Sequence, residues 1–122
     1  WVQEVSFTEF SDNFNYILDY VQNRLPDKSK ILVITIPDFS VTPEGPKYDK
    51  GRDISEGIRK FNQHIIEESE KRGLIWVDLF EPSKEMKDKP DLIAEDGLHP
   101  SAKTYAYWKD VIFPSFSKLV ST

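Results

Sequence analysis

Phe10, Phe14, Ile17, Leu18 and Val21 recur at spacings of three and four, setting an apolar stripe against a polar side that carries Asp12, Asn13, Asp19 and Gln22. This periodicity predicts an amphipathic helix. Ser6 followed by Glu9 makes a capping box at its start, Val5 is spaced to staple against Phe10, and Pro26 ends it. The pattern then changes. Ile31-Leu32-Val33-Ile34-Thr35-Ile36 is an unbroken β-branched and aliphatic run, the signature of a strand buried on both faces in a parallel sheet. Pro37, Pro43, Gly45 and Pro46 break the pattern, so residues 37–50 read as a long loop leaving the C-terminal end of that strand, an edge where loops often line a site.

Helical spacing returns with Ile54, Ile58, Phe61 and Ile65, opened by Asp53 and Glu56 and closed by Lys71-Arg72-Gly73. Leu74 to Leu79 is a second strand-like run that turns polar at Glu81-Pro82. Ser83 to Glu95 is charged, contains Pro90, and reads as a loop with one helical turn. Ser101 then caps a helix in which Tyr105, Trp108, Ile112, Phe116 and Leu119 share a face, with Pro114 expected to kink or split it. The alternation of helix and strand predicts right-handed crossovers and a parallel pair, an α/β fold. Two strands make a thin sheet and the chain opens at Trp1, so part of the domain is expected to lie outside these 122 residues.

Composition narrows the function. With 39% hydrophobic residues, including three Trp, five Tyr and eight Phe, the chain has material for one core. A net charge of -5 offers no positive field for phosphate backbones or anionic membrane surfaces, which argues against nucleic acid as a partner. The lack of cysteine excludes disulfides, zinc-thiolate sites and thiol nucleophiles, and leaves the compartment open, secretion and the periplasm included. No apolar run is long enough to cross a bilayer, and no basic-then-apolar signal starts the chain.

The candidate chemistry lies in Asp96-Gly97-Leu98-His99-Pro100. Imidazole, with an unperturbed pKa of about 6.5, accepts and returns protons near neutrality. Asp96, three residues earlier across a turn that Gly97 eases, can reach Nδ1 and leave Nε2 facing outward, while Pro100 holds His99 extended. An ordinary turn with a surface histidine is the plain alternative. A metal site built on Asp96 and His99 needs a third ligand, and Asp38 and Asp78 read better as turn and cap residues. Ser40 follows the first strand on the same edge but lacks a nucleophile elbow. His64 lies off the Ile58, Phe61, Ile65 stripe and reads as solvated helix surface, and Asn62 as a packing hydrogen bond.

Asp-x-x-His-Pro, behind Val77-Asp78-Leu79 and ahead of Tyr105 and Trp108, resembles the last conserved block of the SGNH, or GDSL-type, hydrolases. Ile31 to Pro37 is similar to that family's penultimate core strand, Phe61-Asn62 to an aromatic-Asn pair in its helix, and Trp1 with the capped helix to the segment after its Gly-x-Asn-Asp block. The resemblance implies a three-layer α/β/α sandwich around a parallel sheet, of flavodoxin-like type. It implies no cofactor and no metal, and an acyl-enzyme mechanism in which a serine attacks a small-molecule ester such as a lipid, an aryl ester or an acetylated sugar. The resemblance further implies that Asp96 orients His99 and that His99 acts as the base. The family's Gly-Asp-Ser, oxyanion-glycine and Gly-x-Asn-Asp blocks are absent here, and Thr104 stands where the family often has glycine. Residues 1–122 therefore read as the C-terminal part of a single domain, inactive alone, whose partner is the missing N-terminal part. The alternatives are a non-catalytic binding or assembly module on the same fold and, after that, a metal-dependent hydrolase.

Overall fold

The Ser6 hydroxyl accepts the Glu9 amide and opens α1 (Phe7–Gln22) as its capping pattern predicts, in the computed structural model of the chain, which describes residues 6–49 and 51–121. Trp1 and the Val5 staple lie outside the described residues. β1 (Leu32–Ile34) comes next. Asp53 then accepts the Glu56 amide at the start of α2 (Ile54–Lys71), and Gly73 closes that helix at a φ of +70°, which a residue with a Cβ adopts only at a cost. β2 (Ile75–Val77) pairs with β1 in parallel, Val33 opposite Trp76, as the crossover pattern requires.

Both strands are half the length of the apolar runs that announced them, because side chains take over the backbone groups at their ends. Asn62 of α2 accepts the Ile36 amide and donates to the Ile36 carbonyl, each at 2.8 Å, where a neighbouring strand would otherwise bond. This is the packing hydrogen bond expected of Asn62. The Thr35 hydroxyl accepts the Leu79 amide at 2.8 Å and donates to Asp78 at 2.9 Å, and Asp78 accepts the amides of Phe80 and Glu81. These bonds turn the chain out of β2 and into the short helix α3 (Phe80–Ser83).

Burial of β1 on both faces is not observed. Successive strand residues point to opposite faces. Val33 joins Leu18, Ile65 and Leu74 in a core that Phe10 and Phe14 of α1 complete, whereas Ile34 is 41% exposed. Ile34 faces a shallow apolar hollow shared with Trp108, Ile112 and Phe116 of α4 (Ala102–Val120). Ser101 caps α4 as expected, but the helix runs unbroken through Pro114. Pro114 and Asp110 are both exposed, so water can serve the carbonyl that the proline leaves without a donor.

The predicted apolar faces are also less covered than their spacing suggests. Ile17 of α1 and Tyr105 and Phe116 of α4 are exposed, and in α4 only Thr104 and Trp108 are buried. A two-stranded sheet is too narrow to cover the whole stripe of a helix of this length. His64 is corrected in the opposite direction. It is half-buried between α1 and α2, with Nε2 2.9 Å from the Asn15 carboxamide oxygen and its edges against the rings of Phe7 and Phe14.

The loops after the strands are more structured than their composition implied. Residues 37–49 hold two 3-10 turns, Phe39–Val41 and Gly45–Tyr48, and two more come after α3 at Lys84–Met86 and Pro90–Leu92. Apolar clusters of Leu79, Met86, Leu92 and Trp108, and of Ile54, Ile58 and Phe80, fix these turns against the helices. The architecture is a helix-rich α/β arrangement on a small parallel sheet.

Candidate active site

Asp96 to Pro100 is held from both sides. The Gly97 amide donates to the Ala94 carbonyl at 3.0 Å with Gly97 at a φ of +73°, and the Ala94 amide donates to the His99 carbonyl at 2.8 Å. An antiparallel bridge between Ile93 and Pro100 closes this loop, and the Thr104 hydroxyl of α4 donates to the Leu92 carbonyl at 2.6 Å. Thr104, at the position where glycine is common in the resemblance, thus ties the loop to the helix behind it.

Within the turn, Asp96 uses both carboxylate oxygens. Oδ1 accepts the amides of Leu98 and His99 at 2.9 and 3.0 Å, and Oδ2 lies 2.5 Å from His99 Nδ1. The His99 amide, the Leu98 amide and the His99 ring, in that order, hold the Asp96 carboxyl down to about 2 from its ordinary 3.8. An ionised acceptor at Nδ1 places the ring proton there, so Nε2 of the neutral ring is the free base. The ring is open to solvent, with two-thirds of the side chain exposed. The arrangement can take a proton from a hydroxyl presented at Nε2.

The other candidates are placed elsewhere. The Ser40 hydroxyl donates to Asp38 at 2.5 Å, and among the described residues no hydroxyl is hydrogen-bonded to His99 Nε2. Asp38 is fully buried and accepts from the Ser40 amide and the hydroxyls of Ser40 and Ser55, so it caps the turn at Phe39 as its sequence context suggests. Asp78 caps α3. Among the described residues no three His, Asp or Glu side chains are grouped to hold a metal ion, and no helix is long and apolar enough to cross a membrane.

One feature of the site left no sign in the sequence. The loop after β1 closes on the Asp96 turn, where the Glu44 amide donates to the Gly97 carbonyl at 3.0 Å. A Cβ on Gly97 would stand 2.8 Å from Glu44 Cγ, so Gly97 is needed for this close approach as well as for its positive φ. Between the two loops lies a cavity of about 840 Å³ that reaches Ala94 and Gly97.

The chain matches the model of the GDSL-like Lipase/Acylhydrolase family over residues 2–107. No curated protein and no solved structure matches it.

Proposed function

The chain belongs to the GDSL-like lipase/acylhydrolase family, and on that premise we propose that Asp96 and His99 are the acid and base of an ester-hydrolysing site completed by a serine from outside these 122 residues. The observation that carries this reading is the Asp96–His99 pair, with the carboxylate fixed by two backbone amides and the ring bonded through Nδ1. The substrate is a small-molecule ester. The serine Oγ attacks its carbonyl carbon while His99 Nε2 takes the hydroxyl proton, and Asp96 stays ionised beside the imidazolium. His99 returns that proton to the departing alcohol oxygen as the acyl-serine forms. Water, deprotonated by the same nitrogen, then releases the acid and restores the serine.

The supply of the serine from outside has support in the architecture. β1 pairs only with β2 among the described residues, and Ile34, Phe113 and Phe116 are exposed beside it. A further parallel strand and its helix fit that edge and that face, and complete a three-layer α/β/α domain of which residues 1–122 are the C-terminal part. The free Nε2 also favours a second reading, a non-catalytic binding module on the same fold.

Hydrolysis of p-nitrophenyl acetate separates the two. The chain alone is inactive. Joined to a polypeptide bearing a Gly-Asp-Ser segment it hydrolyses the ester, and His99→Ala lowers kcat about a thousandfold or more with KM little changed. An assembled pair that stays inactive would favour the binding module.

A further inference from the structure

The cavity between the two loops has apolar walls, formed by Val41, Pro43, Pro46, Pro90 and Ile93, and a charged rim at Lys87-Asp88-Lys89. The rim is a fixed turn. The Lys89 amide donates to the Met86 carbonyl at 3.2 Å, Lys87 has φ -60° and ψ 126°, and Asp88 has φ +58°. These angles define a type II turn with aspartate where glycine is usual, a position that strains a residue with a Cβ. Met86, buried with Leu79, Leu92 and Trp108, anchors it.

Both lysines are exposed, and neither forms an ion pair among the described residues. Among the nearby carboxylates, Glu44 pairs with Lys47 at 2.6 Å and Asp38 accepts serine hydroxyls, while Asp91 pairs with Lys103 at 2.6 Å, also feels the charge of Lys89, and shares a neighbouring hollow with Lys89 and Glu85. Asp88 is the one acidic group on the rim itself, which leaves the rim net positive on a chain of net charge -5. The volume suits a small organic ligand.

Resting on the hydrolase reading of Asp96 and His99, we propose that this cavity selects esters with an apolar chain ending in an anionic group, the chain lying along the apolar walls and the anion meeting Lys87 and Lys89. Ala94 and Gly97, which line the cavity, belong to the loop that carries the proposed catalytic pair, so a bound ligand lies against the backbone of that loop.

The test reads binding and needs no catalysis. The 122-residue chain is titrated at low ionic strength with 4-phenylbutyrate and with uncharged 4-phenylbutanol, monitoring the backbone amide resonances of Val41, Ile93 and Gly97. Both ligands shift these resonances, and the carboxylate binds about fivefold more tightly, the scale of two exposed ion pairs. Lys87→Gln with Lys89→Gln removes the preference and leaves the affinity for the alcohol unchanged. His99→Ala binds both ligands as before. Equal affinities in the unsubstituted chain, a preference that survives loss of both lysines, or shifts confined to other residues would overturn the assignment. If the charge preference is found but the completed enzyme hydrolyses no ester, the hydrolase reading fails and the anion site stands.

Discussion

Asp96 accepts two backbone amides and a ring N–H in a turn closed by Gly97, and its ionisation stems from that local geometry rather than from burial. Because its folded pKa lies below the unfolded value of about 3.9, the stability it adds is complete above that value and is lost as pH falls through about 2. A ¹³C titration of the Asp96 carboxyl is expected to give a midpoint near 2, and a midpoint near the unfolded value would show that the two amides do not hold it. At this scale the sequence was informative, because Asp96 and His99 are three residues apart and a turn brings such neighbours together. The Glu44–Gly97 contact was not legible: it joins two loops distant in the chain, and neither residue carries a local mark of the other.

The elements were legible in type and order, since hydrophobic period encodes helix and strand and the caps Ser6, Asp53 and Ser101 encode helix starts. Their ends were harder to read. An apolar run shows where a strand can be buried but not where a side chain takes its backbone bonds, as Asn62 does at Ile36 and Thr35 at Leu79. Asn62→Leu leaves the amide and carbonyl of Ile36 without their partner beside a buried core, and is expected to cost about 2–3 kcal/mol in urea denaturation. A loss below about 0.5 kcal/mol would mean that water or a relaxed backbone replaces both bonds. His64 was misread for a related reason: it lies off the main stripe of α2, but the side of the helix it occupies is covered by Phe7, Phe14 and Asn15 of α1.

Among the described residues the two parallel strands carry helices, leave Ile34, Tyr105, Phe113 and Phe116 exposed, and stand with a bonded Asp96–His99 pair that has no hydroxyl at its free nitrogen. The thin sheet was visible in the sequence as a count of apolar runs. Which helix faces stay uncovered was not, because coverage depends on how many strands a helix meets rather than on its own period. All three features fit one proposal, a hydrolase site whose nucleophile arrives on another strand of the same sheet. The most direct measurement is the rate at which a fluorophosphonate probe labels the protein extended upstream to include a Gly-Asp-Ser segment. The expected result is labelling of that serine, slowed about a thousandfold or more by His99→Ala with the fold retained, and no labelling of the 122-residue chain alone. Labelling that His99→Ala leaves unchanged would contradict the role assigned to the Asp96–His99 pair.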